Sequence, residues 1–149
     1  MHVAALAAWV GASVARRLLV TRARRRGEPA ELDARRRWAW LVAAGELALL
    51  IALGSGLLLV RWNGFGFGHP RWLGVKVGLT LALILPLESL HAWVTYGWMR
   101  SGLRETLAPP FSKDLRRAAG IEDMLWALAL PLYGLALPLM FWLSRTRPF

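Results

Sequence analysis

Apolar runs of more than twenty residues set narrow bounds on any fold, because few soluble elements can bury them. Residues 38–60 (WAWLVAAGELALLIALGSGLLLV), 73–96 (LGVKVGLTLALILPLESLHAWVTY) and 121–143 (IEDMLWALALPLYGLALPLMFWL) are three such runs, each bounded by charge or turn residues. A hydrocarbon core about 30 Å thick needs roughly 20 helical residues to cross it, so each is a candidate span. Residues 2–20 make a weaker fourth: the uninterrupted apolar part ends at Ala15, and Arg16 and Arg17 must reach toward headgroups if the helix continues. A signal peptide would carry its arginines ahead of the apolar stretch, whereas here they come after it, which favours a retained first helix. With 56% of the chain hydrophobic and only 19% charged, lipid is the expected solvent. The expectation is an all-α integral membrane four-helix bundle forming a single transmembrane domain over residues 1–149.

Orientation follows from the short loops, since Lys and Arg resist translocation. Nine arginines fall between Arg16 and Arg37, and the loop from Trp98 to Gly120 holds Arg100, Arg104, Lys113, Arg116 and Arg117. Opposite them stand only Arg61 and Arg71, with Arg145 and Arg147 at the tail. Both termini are therefore expected on the outer, periplasmic side of a bacterial inner membrane. Tryptophans 38, 40, 93, 98 and 126 fall near one set of span ends and 62, 72 and 142 near the other, as an interfacial belt requires, while Trp9 lands mid-span. The first loop, with Gly27 and Pro29 among its arginines, reads as a flexible topology determinant.

The net charge of +10 raises nucleic acid as a partner, but the basic runs flank apolar stretches and form no face on a soluble module, so nucleic acid is excluded. The outer loop Arg61 to Trp72 (RWNGFGFGHPRW) contains glycines spaced as in a nucleotide loop yet has no preceding strand to make one, and reads as an interfacial turn. Without cysteine there is no disulfide, iron–sulfur cluster or covalent haem attachment. Any haem is then non-covalent.

Ionisable groups inside a span cost at least about 2.5 kcal/mol on insertion scales, so each needs a partner or a purpose. Glu46, Lys76, Glu88 and His91 are the four such groups. At 100° per residue, with Lys76 at zero, Thr80, His91, Thr95 and Glu88 fall within about 120° of one another on the third helix, a face that should turn to protein or water. Glu46 and Glu88 lie at similar depth and would repel if both were ionised, so either one is protonated or His91, one turn from Glu88, supplies a compensating charge. His69, in the outer loop, can approach His2 and the amino terminus, a nitrogen set suited to copper. Pro86, Pro131 and Pro138 kink their spans and free carbonyls.

Beyond these readings, several short motifs carry a resemblance. The start, His2-Val-Ala-Ala-Leu-Ala-Ala-Trp9-Val-Gly11, the element Gly54-Ser55-Gly56-Leu57-Leu58 and the helix entry Trp72-Leu73-Gly74-Val75-Lys76 resemble the HemJ and CopD-like membrane proteins, as does the ending Arg147-Pro148-Phe149. Residues 121–124, Ile-Glu-Asp-Met, depart from the Asn-Glu-x-Pro element that usually opens the fourth helix of HemJ proteins, and no second histidine lies just beyond the first helix. The resemblance implies a protoporphyrinogen oxidase that binds haem b, with His2 as iron ligand and Lys76 as the essential lysine of the third helix. CopD-like relatives imply copper uptake instead, for which the His2 and His69 pair read above is the candidate metal site.

Three functional expectations stand side by side. The first is a HemJ-type redox enzyme, with Lys76 in the catalytic role and His2 and His91 as candidate cofactor-binding histidines, the two separated by most of the membrane and so not ligands of one iron. The second is a non-catalytic subunit packed against other membrane-protein subunits of a respiratory or photosynthetic complex, or self-associating, with lipid and helices as its partners. The third is a copper or small-solute transport component using the intramembrane polar residues Glu46, Thr80, Glu88 and Thr95.

Overall fold

The computed structural model describes residues 1–65 and 71–146. His69 and the terminal Arg147-Pro148-Phe149 lie outside the described residues, and with them most of the expected outer turn. Among the described residues every regular element is helical. Four helices are long and apolar enough to cross a membrane, which makes the chain an all-α integral membrane protein. The contacts divide it into two compact units, residues Met1–Gly64 with Leu107–Phe111, and Phe65–Thr106 with Ser112–Phe149.

The first unit holds α1 (His2–Arg24), α2 (Glu28–Arg37) and α3 (Trp40–Trp62). Helices α1 and α3 pack as an antiparallel pair. His2 touches Ala52 and Ser55, while further along α1 Ala12 and Ser13 meet Gly45. A Cβ on Gly45 would lie 3.6 Å from both Ala12 Cβ and Ser13 Oγ, so small residues set a close approach there. Trp9, expected mid-span, is 1% exposed. Most of α3 faces outward: Leu47, Leu50, Ile51, Leu57, Leu58 and Leu59 are exposed, as a helix solvated by lipid should be.

Two expectations for this unit are corrected. Helix α1 runs on through Arg16 and Arg17 to Arg24, and Arg16 does not reach outward to headgroups but is 4% exposed. The loop after α1 is not structureless, because α2 forms inside it. Its sequence explains why: Gly27 takes φ 108, a conformation costly for any other residue, Pro29 stands in the first turn beside Glu28 and Glu31, and Arg35, Arg36 and Arg37 occupy the last. Arg24 then grips Glu31 with a fork, Nε to Oε2 at 3.1 Å and Nη2 to Oε1 at 3.0 Å. Arg35, fully buried, donates from Nε and Nη2 to Glu31 Oε1 at 2.9 and 2.7 Å. Glu31 thus ties the end of α1 to the last turn of α2.

The second unit is a pair of long antiparallel helices, α4 (Arg71–Glu105) and α5 (Lys113–Thr146). Both extend past the apolar runs expected to span, 73–96 and 121–143, because charged and polar residues continue each helix beyond its hydrophobic part. Within α4, residues Thr80–Ile84 and Thr95–Met99 form π turns. The first lies just before Pro86, whose ring cannot donate and crowds the preceding carbonyl, a sufficient cause for a wider turn. The two helices close on each other near their junction. Gly102 admits the backbone of Leu115 so closely that a Cβ would lie 2.7 Å from Leu115 Cα. Ser112 caps α5, its Oγ accepting from the Leu115 amide at 3.2 Å, and its own amide donates to Thr106 Oγ1 at 3.0 Å.

Candidate functional site

In the first unit the polar feature is His2. Its Nδ1 lies 2.8 Å from the carbonyl oxygen of Ala52 and 3.2 Å from Ser55 Oγ. A carbonyl only accepts, so Nδ1 carries the proton and donates, leaving the Nε2 lone pair of the neutral ring unused. Ser55 Oγ also donates to Ala52 O at 3.1 Å. Gly56 makes room for the ring, since a Cβ there would meet His2 Cε1 at 3.2 Å. The Gly54-Ser55-Gly56 element therefore seats the histidine. The serine and the Ala52 carbonyl orient the imidazole, and Gly56 clears the ring's space. Histidines that ligate a metal are usually fixed in this way, through Nδ1–H to a backbone carbonyl with Nε2 presented. Glu46 lies in the same unit on α3, next to Gly45.

In the second unit three of the residues expected on one face of the third span, Lys76, Glu88 and His91, lie against side chains of α5. Lys76 Nζ donates to Ser144 Oγ at 2.6 Å and sits 5.6 Å from the centre of the Trp72 ring. Thr80 Oγ1 donates back to the Lys76 carbonyl at 2.9 Å. Farther along α4, Glu88 Oε1 accepts from the Tyr133 hydroxyl at 2.8 Å. His91 Nδ1 is 4.0 Å from Glu88 Oε2, and His91 Nε2 is 3.9 Å from Glu122 Oε1. Thr95 Oγ1, one turn on, is buried without a hydrogen-bond partner among the described residues. The π turn at Thr80–Ile84 acts as roughly one inserted residue and rotates the later part of α4 by about 100°, so the polar face does not keep the angles of a regular helix.

Glu122 and Tyr133 are the members that sequence reasoning did not single out. Glu122 reads as the boundary charge of an apolar run, yet it is 2% exposed and faces His91. Its signal was present in the run itself, a carboxylate one residue inside a span. Tyr133 gave none, because its role depends on the register between two helices. Among the described residues no group of three His, Cys, Asp or Glu side chains is arranged to hold a metal ion. No family model matches the chain, and no curated protein or solved structure matches it either.

Proposed function

We propose that this chain is a haem-binding membrane protein of the HemJ type, acting as an oxidase on a porphyrinogen. The observation that supports the reading is the pinned imidazole of His2: Nδ1 donates to Ala52 O at 2.8 Å, and Gly56 leaves room for the ring. His2 would hold the haem iron through its ring nitrogen, with the Ala52 carbonyl fixing the tautomer and orientation of the ring. Haem b, when bound, supplies one-electron chemistry at its iron. Lys76, in the second unit, offers an ammonium to a carboxylate, and Ser144 orients it through the 2.6 Å bond. His91 is read differently, because both of its ring nitrogens face carboxylates. The chain lies in a bacterial inner membrane with both termini on the outer side, as the distribution of Lys and Arg argues.

The decisive experiment is a visible spectrum of the protein purified in mild detergent. A Soret band is expected, strengthened by added haemin and lost in His2→Ala. No Soret band even with added haemin overturns the reading. Copper in place of haem, dependent on His2, would replace it with the CopD-like one, and co-migration with a larger assembly without cofactor would replace it with the accessory-subunit one.

A further inference from the structure

Three ionisable groups of the second unit, Glu88, His91 and Glu122, have a specific arrangement. One imidazole stands between two carboxylates, His91 with Glu88 Oε2 at 4.0 Å from Nδ1 and Glu122 Oε1 at 3.9 Å from Nε2. The hydroxyl of Tyr133 holds the other oxygen of Glu88 at 2.8 Å. His91 Nε2 is itself buried and makes no hydrogen bond among the described residues. Each gap exceeds a hydrogen bond by about 1 Å, a distance that rotation of a flexible glutamate closes. Glu122 reaches His91 from the Lys113 end of α5, and Tyr133 reaches Glu88 from the Thr146 end. Asp123, Arg116 and Arg117 follow or precede Glu122 along α5, and the Arg117 guanidinium lies 4.6 Å from the Trp98 ring of α4. The line of polar groups thus runs from the arginine-rich end of the helix pair inward and stops at Tyr133.

We propose that Glu88, His91 and Glu122 form an intramembrane proton-exchange site, its ligand a single proton taken up from water at the arginine-rich end of the α4–α5 pair. The transfer is balanced without electrons. The protonated carboxyl of Glu122 gives its proton to His91 Nε2, its O–H bond breaking as the N–H bond forms. The resulting imidazolium gives the Nδ1 proton to the Glu88 carboxylate. The ring is left neutral in its other tautomer and one proton has moved from Glu122 to Glu88; the same two steps in reverse restore the starting form. Tyr133 is a positioning residue, holding Glu88 by the oxygen that does not face the ring. The site does not rest on the haem reading, which assigns no role to Glu88, His91 or Glu122.

The test is infrared difference spectroscopy of the full chain in lipid vesicles as pH is varied. A carboxyl C=O band that titrates and shifts on deuterium exchange is expected, with separate components lost in Glu88→Gln and Glu122→Gln. His91→Gln should move the titration midpoint by about one pH unit, a tenfold change in proton affinity. If glutamine variants do not fold, the His2→Ala, His69→Ala double variant leaves His91 as the sole histidine of the three for nitrogen-15 resonance measurements. Titration of that ring together with the carboxyl band supports the site. A ring fixed in one form and no titrating carboxyl between about pH 5 and 9 overturns it, as does a titrating band that neither glutamine variant alters.

Discussion

The work of His2 depends on a residue that has no side chain. Gly56 faces the imidazole, and a Cβ there would press on Cε1 at 3.2 Å, tight enough that the ring must give by a few tenths of an ångström for alanine and leave altogether for leucine. Gly54, two residues earlier, has nothing within 4 Å of an added Cβ. The pair makes an internally controlled comparison. Gly56→Leu should break the Nδ1 bond to Ala52 and lower haem occupancy at least about tenfold, equivalent to about 1.4 kcal/mol. Gly54→Leu should leave occupancy unchanged. Soret absorbance per protein in titrations with haemin measures both, and equal losses would refute a specific role for the Gly56 clearance. The importance of the Gly-Ser-Gly element was readable as a motif, but which glycine matters was not. That distinction lives in the register of α1 on α3.

Among the elements, α2 carries the clearest lesson. Its signals were all in the sequence, a glycine turn, proline and acidic residues at the start, and arginines at the end. They were masked by the arginine excess that topology alone explains. What no local pattern announces is that Glu31 would bind arginines on two helices, seven residues before it and four after it. A buried carboxylate with two guanidinium partners is costly to break from either side, by about 3–5 kcal/mol when a charge is left without compensation. Glu31→Ala should therefore free α2 from α1 while α1, α3, α4 and α5 keep their membrane contacts. Limited trypsin digestion reads this directly, since Arg25, Arg26, Arg36 and Arg37 crowd this segment. Cleavage there should quicken by tenfold or more relative to the native chain, with the transmembrane fragments intact. An unchanged rate would mean that Glu31 does not anchor α2. For α4 and α5 the boundary between legible and hidden is similar. The third span's Lys76, Glu88 and His91 stood out because charge inside an apolar run is conspicuous. Glu122 did not, because a charge at the edge of a run looks like its end, and only the antiparallel register brings it to His91.

At the scale of the whole chain, hydropathy located the four spans because a bilayer leaves so few alternatives for a backbone inside it. It underestimated the length of three of them, because hydropathy marks where lipid ends, whereas a helix ends where its own capping and packing end. Thus α5 begins at Lys113, set by the Ser112 cap, eight residues before the apolar run. Orientation is a separate matter, carried by Lys and Arg counts and by no contact within the protein. The absence of cysteine makes it directly measurable. Single cysteines introduced at Asn63, at the end of α3, and at Glu28, at the start of α2, replace exposed residues in loops on opposite expected sides. In intact cells or right-side-out vesicles, a membrane-impermeant maleimide should label the Asn63→Cys chain at once and the Glu28→Cys chain only after permeabilisation. The reverse pattern would invert the topology. It would also turn the arginine-rich end of the α4–α5 pair, and with it the entrance to Glu122 and His91, to the outer side, so the same labelling experiment fixes the direction from which that site takes its proton.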